Sequence, residues 1–166
     1  MGTKEEVFEE TIKHKGFFEY SEFYVYCYDW LKTKGYSIKE KEYTEKVSGD
    51  SKEIIISWEA GKKATDYYKG IIKVKWHILG MSDTEAEVNG KRKKVNKGEV
   101  KIKVAAELER DYEGEWEKQP LWKFLRGTYD RYIAKTTQDY YADSVKGDAE
   151  GFVEDVKAFL TLEGRK

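Results

Sequence analysis

Apolar and polar residues alternate in three segments of the chain, residues 54–60, 68–78 and 100–108. A period of two places successive side chains on opposite faces of a β-strand, so each segment predicts a strand with one dry face and one wet face. The dry faces are predicted to hold Ile54, Ile56, Trp58, Ala60, Tyr68, Ile72, Val74, Trp76, Ile78, Val100, Ile102, Val104, Ala106 and Leu108. The wet face of the middle segment is predicted to hold Lys69, Lys73, Lys75 and His77.

Turn signals around these segments predict further strands and short connections. Residues 36–47 are β-compatible and charged on both sides, which is typical of an edge strand protected against unwanted pairing. Turns are predicted at residues 48–51, at Gly61-Lys62 and at Asn89-Gly90, whose residues suit a type I′ hairpin. A short strand is predicted at Ala86 to Val88. Connections this short leave little room for helical crossovers, so the sheet is predicted to be antiparallel.

Helical spacing of apolar residues appears at both ends of the chain. Residues 22–34 predict a helix that Ser21 caps and Gly35 ends. A long helix is predicted from Gln119-Pro120 to about Val145, ended by Gly147, and Asp148 is predicted to cap a short terminal helix. Residues 7–14 fit a helix or a strand equally well, so their type stays open.

These elements predict an α+β fold. We expect an antiparallel β-meander of about five to six strands, packed on one face by an N-terminal helix, a long C-terminal helix and a short terminal helix. All of them are expected to belong to a single domain spanning residues 1–166. The order of elements is similar in outline to that of helix-grip ligand-binding folds, a similarity that rests on element order and on no motif.

Composition narrows the class of protein. Aromatic residues make up 15% of the 166 positions, which is too much apolar ring area for a disordered chain. The 31 basic and 32 acidic side chains nearly balance, so an anionic partner has to be bound by a local cluster. A single cysteine, Cys27, and the lack of a long apolar segment predict a cytoplasmic protein, and dense Lys and Glu are typical of thermophile proteins.

The sequence contains no local motif of a phosphate-binding loop, a dinucleotide site, a nucleophile elbow or a zinc site. We therefore expect no cofactor and no metal ion, and favour a non-enzymatic protein. Cys27, His14 and His77 are the residues from which an unrecognised enzyme site could be built, and that alternative stays open. Alternating carboxylates from Glu107 to Glu117 are interpreted as a solvated face.

A surplus of tyrosine and tryptophan leads to the main functional hypothesis. These side chains are enriched at binding surfaces because one end is apolar and the other favours water. We expect an aromatic cleft between the sheet and the long C-terminal helix that binds an apolar small molecule or a protein partner, including a second copy of the chain. The residues expected to line it are Trp58, Trp76, Trp116, Trp122, Tyr129, Tyr132 and Tyr140.

A cluster of positive charge leads to the alternative hypothesis. The hairpin from residue 91 to residue 103 carries seven basic side chains, interrupted by one acid at Glu99. Such a cluster suits phosphates, so the alternative is a nucleic-acid-associated accessory protein. Its phosphate contacts would be Lys91, Arg92, Lys93, Lys94, Lys97, Lys101 and Lys103.

Overall fold

The structure is a computed structural model that describes residues 3–88, 90–110 and 134–164. Within these residues the chain forms five strands and two helices, consistent with the predicted α+β fold and β-meander. In chain order they are β1 (Thr3–Phe18), α1 (Tyr20–Thr33), β2 (Ser37–Ser48), β3 (Ser51–Lys63), β4 (Tyr68–Val88), β5 (Lys91–Arg110) and α2 (Ala134–Gly164).

The five strands form one antiparallel sheet in the order β1-β5-β4-β3-β2. The segment 7–14, whose type the sequence left open, belongs to β1, which pairs with β5 along its whole length. The expected edge strand is confirmed, because β2 pairs only with β3 in the sheet. A single continuous sheet therefore places side chains from all five strands on each of its two faces.

Both described helices pack on the same face of the sheet. The side chains predicted to point inward from β3, β4 and β5 are all buried there, so the prediction of their orientation is confirmed. Phe23 of α1 contacts Trp76, with ring centroids 5.2 Å apart, and Phe152 and Val156 of α2 belong to the same core. The opposite face of the sheet carries the lysines of the alternating pattern and is covered by no described helix, and with reference to the described residues we call it the uncovered face.

Two predicted strand boundaries are wrong. The predicted turn at Gly61-Lys62 is part of β3, which continues to Lys63 in register with β4. The short strand predicted at Ala86 to Val88 is the far end of β4, which passes through a bulge where Gly80 adopts a positive φ of 60°. Gly90 has a φ of 78°, as a type I′ turn requires, whereas Asn89 lies outside the described residues.

The predicted boundary at Gly147 is also wrong, because α2 is a single helix that runs through it. A buried stripe made by Val145, Ala149, Phe152, Val156 and Leu160 continues at helical spacing on both sides of the glycine. Burial of this stripe outweighs the cost of one glycine in a helix, about 1 kcal/mol. The predicted start of this helix at Gln119-Pro120 lies outside the described residues.

The first turn of α1 differs from the prediction as well. Ser21 is not the cap, because the helix begins at Tyr20, and Glu19 at the N-cap position makes no side-chain capping bond. Instead the backbone N–H of Tyr20 donates a hydrogen bond of 2.9 Å to Oδ1 of Asn96 in β5. A partner from the sheet thus takes the role of a local capping side chain. Gly35, with a φ of 94°, ends the helix as predicted.

Candidate functional site

The predicted aromatic residues are only partly brought together. Trp58 and Trp76 contact each other, with ring centroids 4.8 Å apart, and are 1% and 0% exposed. They lie beneath α1, where Tyr24 packs edge-on against both rings. Rings this deeply buried contribute to the core and offer no surface to a ligand in this conformation.

The other predicted aromatic residues do not join this cluster. Tyr140 lies on α2 and is 69% exposed. Trp116, Trp122, Tyr129 and Tyr132 lie outside the described residues. A cavity between the sheet and α2, beside Gly70 and Val145, has a volume of about 40 Å³, which suits a water molecule rather than an apolar ligand.

A cluster of tyrosines at the border between α1 and β2 was not predicted as a site. The hydroxyl of Tyr24 donates to Oε1 of Glu40 over 3.0 Å, and Nε1 of Trp58 donates to the same oxygen over 3.3 Å. Burial and the bond to Glu40 raise the pKa of Tyr24 to about 12. The hydroxyls of Tyr20 and Tyr43 hydrogen-bond over 2.9 Å, which together with burial raises the pKa of Tyr20.

The basic hairpin is largely balanced by acidic neighbours at its tip. Lys93 lies 2.6 Å from Oε1 of Glu19, at the start of α1. Arg92 approaches Glu85 of β4 to 3.7 Å, and the same Glu85 is in register with Lys94. Lys97 lies over the ring of Phe17, 5.6 Å from its centroid. Lys91 begins β5 at the tip of the hairpin. The tip is therefore a mixed-charge surface.

Lys101 and Lys103 lie in the middle of the sheet, on the face that no described helix covers. Lys101 is in register with Lys13 of β1 and with His77 of β4, and Lys103 is in register with Lys75. We call these four lysines and His77 the lysine patch. Like charges directly opposite each other destabilise a sheet. Among the described residues, Lys13, Lys75 and Lys101 have no carboxylate oxygen within 4 Å of their amino groups.

A second basic region lies toward β2 at the end of the sheet, mostly on the same face, with Lys62 entering from the helix-covered side. Here the described lining residues of a depression of about 520 Å³ include five lysines and one acid, Glu59. We call it the lysine basin, and its lysines are Lys39, Lys41, Lys62, Lys63 and Lys69. Ser37, Gly61 and Ile71 contribute to its lining from three adjacent strands.

Glycines make room for two lysines of the basin. A β-carbon placed on Gly61 would lie 2.7 Å from Cε of Lys69, so the lysine chain passes directly over the glycine. A β-carbon on Gly35 would lie 3.3 Å from Cε of Lys62, whose Nζ donates to the carbonyl of Lys34 over 2.9 Å. The absence of side chains at these two positions thus helps to shape the basin.

A depression of different character separates the lysine basin from the lysine patch. It has a volume of about 500 Å³ and is lined by four lysines and three glutamates, with Ser57 and Ala105 as small residues of its lining. Of its four lysines, Lys73 lies 3.1 Å from Glu107 and Lys41 lies 3.6 Å from Glu59, whereas Lys75, shared with the patch, has no carboxylate partner among the described residues. Lys103, shared with the patch, lies 3.3 Å from Glu9. The uncovered face therefore has two basic regions with a neutralised zone between them.

The residues considered for an enzyme site are not assembled. Cys27 is fully buried on the inner side of α1, and burial raises the pKa of its thiol. His77 lies on the uncovered face, where Nε2 is 2.8 Å from Oε1 of Glu53, whereas Nε2 of His14 is 3.1 Å from the carbonyl oxygen of Phe17. In the described part of the chain, no group of three or more His, Cys, Asp or Glu side chains is placed to hold a metal ion.

Comparison of the chain with protein-family models, with curated proteins and with solved structures found no match. None of the helices in the described ranges is long and apolar enough to cross a membrane.

Proposed function

We propose that this chain is a binding domain that captures phosphate-bearing anions in the lysine basin on the uncovered face of its sheet. The observation that supports this most strongly is the ratio of charges among the described residues that line the depression, five lysines to one glutamate. Lysine ammonium groups bind phosphate as point charges, and several of them around one depression produce a local positive field even in a protein of balanced net charge.

The shape of the basin supports the same proposal. Its volume of about 520 Å³ is within the usual range of small-molecule sites. Lys39 and Lys69 approach it from β2 and β4, and in the described residues neither has a carboxylate oxygen within 4 Å. Two amino groups without acidic partners can turn toward an incoming anion without first breaking an ion pair.

Calorimetric titration with inorganic tripolyphosphate at low salt tests this proposal. We expect the wild type to bind, and the double variant Lys39→Gln, Lys69→Gln to bind about tenfold more weakly, since each exposed charge contact contributes up to about 1 kcal/mol. Lys146→Gln is the matched control, because Lys146 is an exposed lysine of α2, on the other face of the sheet. Equal affinity of the double variant and the wild type would contradict the proposal.

A second candidate function is binding of a protein partner, including a second copy of the chain, at the β2 edge. It is favoured by Tyr43 and Val47, which are 47% and 68% exposed on this edge strand. An edge strand offers unpaired backbone groups to another chain, although the many charges of β2 oppose such pairing. Analytical ultracentrifugation distinguishes the two candidates, since a protein that stays monomeric at high concentration while binding tripolyphosphate supports the first.

The proposal includes a cytoplasmic location. It is supported by the single cysteine of the sequence, Cys27, which is a free thiol in the core. Proteins of oxidising compartments commonly use disulfides that this chain cannot form internally.

A further inference from the structure

We propose that the phosphates bound by the uncovered face are those of a nucleic-acid duplex, which the lysine basin and the lysine patch hold together and without sequence preference. This inference rests on the proposed function and adds to it the class of ligand. It joins two regions that are separate clusters on the surface and that lie mostly on the same face of one sheet.

The distribution of paired and unpaired lysines is the first argument. Lys39 and Lys69 in the basin, and Lys13, Lys75 and Lys101 in the patch, have no carboxylate oxygen within 4 Å in the part of the chain that the structure describes. Between Lys69 and Lys75 on β4, Lys73 instead pairs with Glu107, and Lys41 and Glu59, which the basin shares with the neutralised zone, form a second ion pair. A single phosphate chain crossing this face would meet those carboxylates midway. Two separate phosphate backbones, one over each basic region, would avoid them.

The spacing of the two regions is the second argument. Lys69 in the basin and Lys75 in the patch are six residues apart on β4, which corresponds to about 20 Å along a strand. The two phosphate backbones that border the major groove of B-form DNA stand on either side of an opening about 12 Å wide. Basic regions about 20 Å apart can therefore each contact one backbone, with the neutralised zone facing the groove.

The scarcity of aromatic rings on the described part of this face, where Phe17 of β1 lies beside Lys97, is the third argument. Proteins that bind single strands stack exposed bases on aromatic side chains. The outward positions of the central strands, from 53 to 61 in β3, from 69 to 79 in β4 and from 99 to 109 in β5, hold no Phe, Tyr or Trp. In a duplex the bases are already stacked on each other, and phosphate contacts alone are sufficient for binding that ignores sequence.

Fluorescence anisotropy with labelled nucleic acid tests this inference. The ligands are two duplexes of unrelated sequence, each about two helical turns long, and the single strands from which they are made. We expect both duplexes to bind with affinities within about twofold of each other, and at least about tenfold more tightly than the single strands. Repeating the titrations between about 50 and 200 mM salt gives the slope of log affinity against log salt concentration.

Variants assign the contacts to the two regions. The pair Lys39→Gln, Lys69→Gln in the basin and the pair Lys75→Gln, Lys101→Gln in the patch should each reduce the salt slope by about 2, about 1 per lysine. Lys146→Gln should leave the slope unchanged. Replacing Lys75 and Lys101 removes like charges that oppose Lys103 and Lys13, so the patch variant is expected to fold, and circular dichroism checks this.

Each outcome distinguishes the inference from the proposed function. Tight binding of tripolyphosphate without preference for duplex over single strand would overturn the duplex inference and leave the anion-binding proposal standing. A folded patch variant with the affinity and salt slope of the wild type would also overturn it. If neither tripolyphosphate nor duplex binds, both proposals are wrong.

Discussion

At the scale of single residues, the hydrogen bonds around Glu40 show how the sheet and α1 are joined by polar as well as apolar contacts. One carboxylate oxygen of Glu40 accepts hydrogen bonds from both Tyr24 and Trp58. It therefore connects a partly exposed side chain of α1 to a buried ring of the core. The sequence predicted that Trp58 points inward, since alternation determines its face. It could not predict Glu40 as a partner, because that contact depends on where β2 lies relative to α1.

The raised pKa of Tyr24 predicts a pH dependence of stability. An unfolded tyrosine loses its proton near pH 10 and the folded Tyr24 near pH 12, so the folded state holds the proton more tightly in this window. The stabilisation is complete below about pH 10 and is lost as the pH rises to about 12. Thermal melts of the wild type and of Tyr24→Phe should therefore show a shallower decline in Tm over this window in the variant. Tyr140→Phe is the control for removal of one phenol, and equal declines in wild type and Tyr24→Phe would refute the assignment.

At the scale of elements, the sequence predicted which face of the sheet the strand residues occupy, but it did not predict where several strands and helices end. A period of two assigns the residues of the three predicted segments to a face, and every position assigned to the dry face is buried, although Ile71 on the other face is buried as well. Glycines misled the prediction of boundaries, because Gly61 lies within a strand and Gly147 within a helix. In both cases the element continues because pairing with β4, or the buried stripe of α2, stabilises it across the glycine.

Gly147, exposed on α2, and Gly70 of β4, which packs against α2, give opposite predictions. Gly147→Ala should raise the free energy of unfolding by about 0.5 to 1 kcal/mol, because alanine favours the helix and nothing lies within 4 Å of its added carbon. Gly70→Ala should lower it by about 1 to 3 kcal/mol, because the added carbon would lie 3.0 Å from Cγ2 of Val145. Urea unfolding measures both. A destabilised Gly147→Ala variant would contradict a continuous α2.

At the scale of the whole molecule, the uncovered face of the sheet is where the sequence was least informative. The outward orientation of Lys69, Lys73 and Lys75 was predictable, but their grouping with Lys39 of β2 and Lys13 of β1 requires the strand order and register. The hairpin that looked most basic in sequence is balanced at its tip by Glu19 and by acids of β4. The basic residues that are close in sequence, in the hairpin, thus have acidic neighbours in space. The lysines that are distant in sequence come together on one face of the sheet.

At this scale, the positions of the aromatic residues also distinguish the two faces of the sheet. The described rings concentrate on the helix-covered face, where Trp58, Trp76 and Phe23 form the core beneath α1. The opposite face holds mainly polar side chains, with Ile55, Ile71 and Leu79 among them, and it is the part of the molecule that we propose binds anions.

The most direct test of the anion-binding proposal is a nuclear magnetic resonance titration of backbone amide signals with inorganic tripolyphosphate. We predict that the largest shifts occur around the lysine basin, at Ser37, Lys39, Gly61, Lys69 and Ile71, and that they weaken as salt is added. Shifts confined to α1 and the tyrosines of its border with β2, or no shifts at all, would contradict the proposal that the uncovered face of the sheet is the binding surface.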